Sequence, residues 1–216
     1  MTGDLFESEN EQPWAESRGE GVVVLRRFAR ADAPRLLDDI QKIASQAGFR
    51  IMITPGGHQM SAAMTCTGDW GWVTDRKGYR YQHEDPQTGA PWPAIPERFS
   101  QLAGRAAEEA GFPGFQPDAC LINRYEPGAK MGLHQDRDER DFSWPIVSVS
   151  LGLPIVFQMG GPKRSDKPER ILLEHGDVVV WGGPARLNYH GVLTLKKGNH
   201  ALTGPYRYNL TFRKVG

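Results

Sequence analysis

The sequence Arg207-Tyr208-Asn209-Leu210-Thr211-Phe212-Arg213 decides the fold class, because two kinds of side chain alternate along it. Successive side chains of a β-strand point to opposite faces, so Tyr208, Leu210 and Phe212 share an apolar face. The opposite face carries Arg207, Asn209, Thr211 and Arg213. The alternation therefore predicts a strand that packs on a hydrophobic core with one face and presents a row of cationic and polar groups on the other.

Seven more short runs of strand-forming residues, separated by Gly and Pro turns, precede this one. The predicted strands are Ala119 to Tyr125, Lys130 to Asp136, Ile146 to Leu153, Ile155 to Met159, Arg170 to Glu174, Val178 to Trp181, Asn188 to Val192 and Tyr206 to Arg213. Eight short strands predict a double-stranded β-helix, or jelly roll, over residues 117–216. The predicted class is α+β, mainly β.

Two amphipathic helices are predicted before the strands. The first has Asp32 as its N-cap and ends before Gly48, and the second begins at Pro96 and ends at Gly111. We expect both helices to back the jelly roll. Residues 54–96, between the helices, show little periodicity but many aromatic residues, and we interpret them as a loop-rich insert across the open mouth of the roll.

Composition limits the remaining organisation. The chain has 216 residues with 26 Lys+Arg and 26 Asp+Glu, and a net charge of zero argues against a protein that binds bulk nucleic acid. Residues 1–20 are predicted to be a mobile arm, and residues 21–216 a single domain. Only Cys66 and Cys120 are present, and no apolar run marks a secretion signal or a membrane span. We expect a monomer in the cytoplasm.

Three His-x-Asp pairs are candidates for a metal site. Two ligands of this spacing on a strand share a face, and a distant His completes the two-His, one-carboxylate set of non-haem iron oxygenases. The pair at 83 and 85 lies among turn residues and is interpreted as an exposed loop, and the pair at 175 and 177 as a turn cap. His134 and Asp136 follow strand register, and with His190 they form the predicted triad. The alternative is three independent polar residues.

The polar face of the last strand is a candidate carboxylate clamp. Six residues of strand separate the stems of Arg207 and Arg213 by roughly 20 Å, and two inward-leaning side chains of this kind could hold both ends of a small dicarboxylate. Asn123 and Tyr125 share a face of the strand from Cys120 to Tyr125 and could bind a carboxylate as well, although Tyr125 could equally belong to the core. A solvated edge strand is the alternative. Together, triad and clamp favour a 2-oxoglutarate-dependent dioxygenase.

The chain resembles the bacterial AlkB-type DNA-repair dioxygenases over almost everything after residue 20. The matching stretches are Thr54-Pro55-Gly56-Gly57, Asp85-Pro86-Gln87-Thr88-Gly89 with Pro91-Trp92-Pro93, Leu121-Ile122-Asn123-Arg124-Tyr125, Leu133-His134-Gln135-Asp136, Glu174 to Trp181 and Arg207 to Arg213. The last two stretches are long and specific. His58 departs from the pattern, because the relatives have a tyrosine there, and so does the segment 66–70.

The resemblance implies a chemistry and a cofactor set. Fe(II) would be bound by His134, Asp136 and His190, the catalytic residues. The cosubstrate 2-oxoglutarate would be bound by Arg207 at its distal carboxylate and Arg213 at C1, with Asn123, Tyr125 and Asn209. With O2, the family hydroxylates N-methyl groups of N1-methyladenine and N3-methylcytosine in single- or double-stranded DNA, or in RNA, and the adduct releases formaldehyde.

The resemblance also implies substrate contacts, with residues 54–96 as a nucleotide-recognition lid. Trp72 would stack on the extruded base opposite His134, and Asp138 would face the cationic methylated ring. Tyr79 and Thr54 would be lid contacts, and Arg164 would bind substrate in a basic rim. The rim comprises Arg76, Lys77, Arg80, Lys130, Arg137, Lys163 and Arg164. Two alternatives stay open: a 2-oxoglutarate oxygenase for a protein or small-molecule substrate, and a non-catalytic jelly-roll binding module.

Overall fold

A computed structural model describes residues 12–216, which form thirteen strands and two α-helices. The helices are α1 (Ala33–Gln46) and α2 (Glu97–Glu109). The strands are β1 (Trp14–Ser17), β2 (Val22–Arg26), β3 (Ala63–Gly68), β4 (Gly71–Asp75), β5 (Gly78–Gln82), β6 (Ala119–Tyr125), β7 (Met131–His134), β8 (Ile146–Gly152), β9 (Ile155–Met159), β10 (Glu169–Leu173), β11 (Val178–Trp181), β12 (His190–Val192) and β13 (Arg207–Arg213). Neither helix has the length and apolar character needed to cross a membrane.

The strands form two antiparallel sheets and one separate hairpin. The larger sheet has the order β1-β2-β11-β8-β13-β6-β3, the smaller sheet the order β10-β9-β12-β7, and β4 pairs with β5. One hydrophobic cluster joins the facing surfaces of the two sheets, and a second lies between the larger sheet and the helices. The jelly roll and its two backing helices are therefore confirmed.

Strand β13 lies between β8 and β6 in the larger sheet, and its two faces differ as predicted. Leu210 and Phe212 are fully buried in the cluster beneath the helices. Arg207 and Arg213 are also buried, on the face that looks towards the smaller sheet. The alternation in the sequence therefore places the apolar side chains of β13 in the core beneath the helices and its polar side chains between the two sheets.

The structure corrects three expectations about the first half of the chain. The insert 54–96 is not mainly loop: β3 joins the larger sheet through β6, and β4 and β5 form the hairpin. Strand β3 is buried along its first five residues, so it shows no alternation. The jelly roll was predicted to begin at residue 117, but β1, β2 and β3, which come earlier in the chain, also belong to the larger sheet. The predicted arm includes β1, while residues 1–11 of it lie outside the described residues.

Two carboxylates have roles that the sequence did not indicate. Asp32 is the N-cap of α1 by position, but its side chain makes no cap hydrogen bond and instead pairs with Arg105 of α2 at 3.0 Å. Asp85 was expected in an exposed loop, yet it is buried and paired with Arg50, which lies 5.4 Å from the Trp92 ring. Burial opposes ionisation of Asp85, but hydrogen bonds led by Arg50 outweigh it and lower its pKa.

Candidate active site

The predicted metal triad comes together where β7 and β12 pair. His134 ends β7 and lies opposite His190, the first residue of β12, and Asp136 follows two residues after His134. Their ligand atoms all lie within 4.8 Å of one another. The Nε2 atoms of His134 and His190 are 3.6 and 3.7 Å from the two oxygens of Asp136. Two imidazoles and a carboxylate therefore face a common point, a donor set that suits Fe(II).

The surroundings hold both imidazoles ready to ligate through Nε2. Nδ1 of His134 lies 2.9 Å from the carbonyl oxygen of Gly132, and Nδ1 of His190 lies 3.1 Å from that of Asn188. A carbonyl can only accept a hydrogen bond, so the proton of each neutral ring belongs on Nδ1 and the Nε2 lone pair is free. Burial, followed by the neighbouring His134, lowers the pKa of His190 to about 4. Its ring is neutral at pH 7.

Asp136 is ionised although its side chain is only 9% exposed. Burial by itself would raise its pKa, but the Arg213 guanidinium and then the two histidines lower it well below its ordinary value. Arg213 donates from Nη2 and Nε to one carboxylate oxygen at 2.6 and 3.0 Å. The other two His-x-Asp pairs lack this arrangement. Asp177 accepts hydrogen bonds from the backbone amides of Glu174 and Arg27, so the expected turn-capping role is correct for that pair.

Arg207 is a buried cation with no acidic partner among the described residues. It is 1% exposed and donates from Nη2 to Ser150 Oγ at 3.0 Å, while its Nε and Nη1 atoms find no hydrogen-bond partner in the part of the chain that the structure describes. The guanidinium carbon lies 5.1 Å from the centre of the Tyr125 ring. Burial lowers the pKa of Arg207 to about 10. Because an unpaired buried charge is costly, the arrangement suits a ligand that brings a carboxylate.

The amides beside Arg207 are partly satisfied by one another. Asn123 donates from Nδ2 to Asn209 Oδ1 at 3.3 Å, and Asn209 donates to Ser148 Oγ at 2.8 Å. The Oδ1 atom of Asn123 is buried and has no hydrogen-bond partner within residues 12–216. Together with Arg207, these side chains offer a ligand both donors and an acceptor.

A cavity of about 420 Å³ is lined by the metal triad, by Arg207 and Arg213, and by the β4–β5 hairpin, the lid hairpin. The predicted site residues on its walls are Trp72, Tyr79, Asn123, Tyr125, His134, Asp136, Asp138, Arg164, His190, Arg207, Asn209 and Arg213. Thr54 is not among its lining residues. It closes the turn over residues 55–57, where its backbone amide donates to the His58 carbonyl at 2.8 Å.

The β4–β5 hairpin forms one wall of the cavity. The rings of Trp72 and Tyr79 are stacked, with centres 5.6 Å apart and planes 16° from parallel. Trp72 donates from Nε1 to Asp138 Oδ2 at 2.9 Å. Of the predicted basic rim, Arg80 is paired with Asp75 at 2.8 Å, whereas the other six cations are exposed. The rim therefore offers fewer charges than the sequence suggested.

Sequence reasoning missed the acid at the centre of the site. Glu139 is 6% exposed and accepts a hydrogen bond from the Tyr81 hydroxyl at 2.7 Å. It also pairs with Arg186 at 3.1 Å and with Arg213 at 3.3 Å. In the sequence Glu139 lies in the run Arg137-Asp138-Glu139-Arg140, which resembles a solvated loop. No local signal distinguishes it from its exposed neighbours.

Comparison with known proteins identifies a family. The family described as the 2OG-Fe(II) oxygenase superfamily matches residues 21–213. The chain is 60% identical over 213 residues to the alpha-ketoglutarate-dependent dioxygenase AlkB of Escherichia coli K12, covering 99% of this chain and 98% of that protein. The solved structure of OsALKBH1 matches with a TM-score of 0.83 at 32% identity, covering 93% of this chain and all of that one.

More distant relatives are named as demethylases. The DNA N(6)-methyladenine demethylase ALKBH1C of Arabidopsis thaliana is 33% identical over 178 residues, covering 70% of this chain and 38% of that protein. The tRNA demethylase abh1 of Schizosaccharomyces pombe is 25% identical over 185 residues, covering 84% of this chain and 57% of that protein. Their names refer to two kinds of nucleic acid.

Proposed function

The chain belongs to the 2OG-Fe(II) oxygenase superfamily and, within it, to the AlkB-type dioxygenases, and from this premise we propose that its cavity oxidatively demethylates N-alkylated nucleobases. Fe(II), 2-oxoglutarate and O2 are its cofactors and cosubstrates. The observation that carries the proposal is one cavity with three parts: a triad able to hold a metal, a buried arginine that pairs with no acid among residues 12–216, and a wall of stacked aromatic rings. The triad suits Fe(II), the arginine suits a carboxylate of 2-oxoglutarate, and the aromatic wall suits a nucleobase.

The protein's own contribution is to bind and orient those reactants. His134, Asp136 and His190 would hold Fe(II) from one side and leave the other side open to ligands. Arg207 would receive the distal carboxylate of 2-oxoglutarate, and Arg213 would pair with its C1 end, assisted by Asn123, Tyr125 and Asn209. When bound, the metal and 2-oxoglutarate supply oxidation of the methyl group by O2, with succinate, carbon dioxide and formaldehyde as products.

The aromatic wall would receive the base. Trp72 and His134 would flank the ring, and the stacking energy would offset part of the cost of taking the base out of a helix. N1-methyladenine and N3-methylcytosine are cationic at neutral pH, so Asp138 would favour them over neutral bases. Tyr79, Thr54 and Arg164 would contact the flanking strand. We propose single- or double-stranded DNA as the substrate, or RNA, and a monomer that acts in the cytoplasm.

The alternatives from the sequence are less well supported. An oxygenase for proteins or small molecules would have the triad and the clamp but no use for the exposed Tyr79 stacked on Trp72. A non-catalytic binding module is not favoured by 60% identity to a dioxygenase over nearly the full chain. Both alternatives make different predictions about the products.

A product assay tests the proposal. The protein is loaded with Fe(II), 2-oxoglutarate and an oligonucleotide that contains N1-methyladenine under argon, then exposed to air, and the oligonucleotide mass and succinate are followed together. We expect the loss of one methyl group for each succinate. Succinate without demethylation would reject the nucleic-acid substrate, and the absence of both products would reject the oxygenase.

The triad is tested by substitution in the same assay. Asp136→Ala removes the carboxylate ligand, and we expect iron-dependent turnover to fall to background while circular dichroism shows a retained fold. Asp141→Ala removes an exposed acid from the same loop and is expected to retain activity. Retained turnover in Asp136→Ala would contradict the assigned triad.

A further inference from the structure

A second aromatic pair lies at the base of the lid hairpin. Trp70 precedes β4 and His83 follows β5, one position beyond the ladder pair of Gly71 and Gln82. The centres of their rings are 3.7 Å apart, with planes 33° from parallel. His83 is exposed, and its Nδ1 atom lies 2.7 Å from the Asp69 carbonyl oxygen, a contact that orients the ring. The pair therefore forms an ordered aromatic surface outside the cavity walls.

This pair lies on the same side of the hairpin as the aromatic wall of the cavity. Alternate residues of a strand share a face, so Trp70 and Trp72 point to the same side, roughly 7 Å apart. The loop after β7 contacts both residues. Asp138 accepts a hydrogen bond from Trp72 at 2.9 Å, and the Arg140 guanidinium lies 5.7 Å from the centre of the Trp70 ring. The aromatic surface thus continues along the hairpin beyond the cavity.

Arg140 supplies an exposed positive charge beside the aromatic pair. Its guanidinium pairs with no acid among residues 12–216, in contrast to Arg80 of β5, which is paired with Asp75. A nucleotide has a flat base that stacks on aromatic rings and a phosphate that pairs with a cation. The two rings and the free cation together therefore favour a nucleotide over an apolar ligand.

We propose that Trp70, His83 and Arg140 bind the nucleotide next to the methylated one, with its base stacked on the two rings and its phosphate paired with Arg140. The inference rests on the proposed function, since the strand must already be held by the methylated base at Trp72. Trp70 belongs to the segment 66–70, which departs from the AlkB-type pattern. The second nucleotide site is therefore a property of this chain rather than of the family.

Stacking at this site compensates for the small number of exposed cations near the cavity. A chain with 26 basic and 26 acidic residues gains little from long-range attraction to nucleic acid. Stacking on an aromatic ring tolerates any sequence, because every base has a flat face. We therefore expect the neighbouring base to strengthen binding whatever its identity.

Removal of the neighbouring base tests the stacking contact. The protein carries Mn(II) in place of Fe(II), with 2-oxoglutarate under argon, which prevents turnover. Fluorescence anisotropy measures the dissociation constants of single-stranded oligonucleotides that contain N1-methyladenine, one with normal neighbours and two with an abasic residue immediately 5′ or 3′ of the lesion. In the wild type we expect one of the two abasic positions to weaken binding by about fivefold or more. No weakening at either position would overturn the proposal.

Trp70→Leu is the decisive variant, because it keeps an apolar side chain at the base of the hairpin but removes the ring. We expect the weakening caused by the abasic residue to disappear, whereas the abasic oligonucleotide itself binds as tightly as it does to the wild type. His83→Ala removes only an exposed ring, and in this variant the weakening should fall by at least half. An unchanged weakening in either variant would overturn the proposal.

Trp14→Leu is the matched control. Trp14 is 46% exposed and its ring centre lies 5.4 Å from the Arg27 guanidinium, so it is also an exposed tryptophan beside an arginine. It belongs to β1, at the opposite edge of the larger sheet from β3. The weakening caused by the abasic residue should equal that of the wild type.

Arg140→Gln tests the phosphate contact, because an abasic residue keeps its phosphate. We expect the normal and the abasic oligonucleotide to bind more weakly by the same factor. The slope of the logarithm of the association constant against the logarithm of the salt concentration should become shallower by about 0.7. An unchanged slope would overturn the role of Arg140.

Demethylation of the same oligonucleotides with Fe(II) in air separates this inference from the proposed function. A protein that binds and demethylates all three oligonucleotides equally well would reject the second nucleotide site alone. A protein that binds and demethylates none of them would reject the proposed function and the second site together.

Discussion

Arg207 illustrates how one residue can indicate a ligand. Most buried charges in proteins are paired, yet this guanidinium is 1% exposed, donates to the Ser150 hydroxyl and lies 5.1 Å from the centre of the Tyr125 ring. Arg213, at the other end of β13, is paired with two acids. The two arginines are therefore not equivalent: within residues 12–216 Arg207 has no counter-charge, whereas Arg213 has two. A bound dicarboxylate would supply a negative charge to Arg207 and would compete with Asp136 and Glu139 for Arg213.

The unpaired state of Arg207 predicts the effect of Arg207→Lys. Lysine retains the charge but cannot form two parallel hydrogen bonds with a carboxylate, so we expect the KM for 2-oxoglutarate to rise about tenfold or more, with a smaller change in kcat. Succinate formation against 2-oxoglutarate concentration measures both constants. Arg124→Lys is the control, because Arg124 stacks between Phe49 and Tyr206 and does not line the cavity. An unchanged KM in Arg207→Lys would place the clamp elsewhere.

At the residue scale, sequence reasoning worked where local pattern determines position. Alternation along β13 and β6 was sufficient to bring Arg207, Asn209 and Asn123 to one face. Glu139 could not be found in this way, because the loop from residue 135 to 145 has no period and its burial depends on Arg186 and Arg213, which are remote in sequence. Thr54 rests on a matching motif alone: it closes a turn and does not line the cavity, so its substrate contact stays a prediction.

At the scale of elements, the turn between β10 and β11 contains a half-buried imidazole. His175 accepts a hydrogen bond through Nδ1 from the Gly152 amide at 3.0 Å, and its ring lies 4.4 Å from that of His200 in the loop before β13. Burial, followed by His200 and Arg30, lowers the pKa of His175 to about 4, with Asp177 opposing. Protonation would remove the acceptor and place a cation beside Arg30.

This lowered pKa predicts how stability changes with pH. Between about pH 6.5 and pH 4 the unfolded chain binds a proton at His175 that the folded chain does not, so the free energy of unfolding falls as the pH falls through this window. Above pH 6.5 the neutral His175 ring makes its full contribution to the free energy of unfolding. Because the ring is only half-buried, we expect roughly 1 kcal/mol of loss between pH 7 and pH 5 from this residue.

Urea denaturation at pH 7 and pH 5 measures the effect. His175→Asn keeps a hydrogen-bond acceptor but cannot titrate, so its stability should fall less than that of the wild type over this interval. His58→Asn, which replaces an exposed imidazole at the turn that Thr54 closes, is the control, and its stability should fall as much as that of the wild type. An equal loss in His175→Asn and the wild type would show that other groups carry the pH dependence.

The elements themselves were predicted unevenly, and the reason is residue pattern. Strand β13 alternates apolar and polar residues although both of its faces are buried, and β6, β9 and β11 have the predicted bounds. Strand β3 is buried on both faces, and its Ala, Thr and Cys residues carry no period. The strand predicted from Lys130 to Asp136 is shorter, because pairing with β12 ends at His134. Asp136 therefore reaches the metal site from the following loop.

At the scale of the whole molecule, the balance of 26 basic and 26 acidic residues limits how nucleic acid can bind. Long-range attraction is weak, so binding depends on the few exposed cations near the cavity and on the pocket itself. The rim is also smaller than its sequence suggested, since Arg80 is paired with Asp75. Arg137 and Arg164 both lie on the cavity wall, and the Arg164 guanidinium also lies 5.9 Å from the centre of the Tyr189 ring.

A small number of phosphate contacts predicts a weak dependence on salt. For two to four contacts with a single strand, the logarithm of the association constant should fall against the logarithm of the salt concentration with a slope of roughly −1.4 to −2.8. Arg164→Ala should make this slope shallower by about 0.7, since one contact is lost. Lys42→Ala removes an exposed cation on α1, behind the larger sheet, and should leave the slope unchanged. Fluorescence anisotropy with a methylated oligonucleotide at several salt concentrations measures the slope. A value steeper than about −4 would require six or more phosphate contacts, and the strand would then have to bind well beyond this rim.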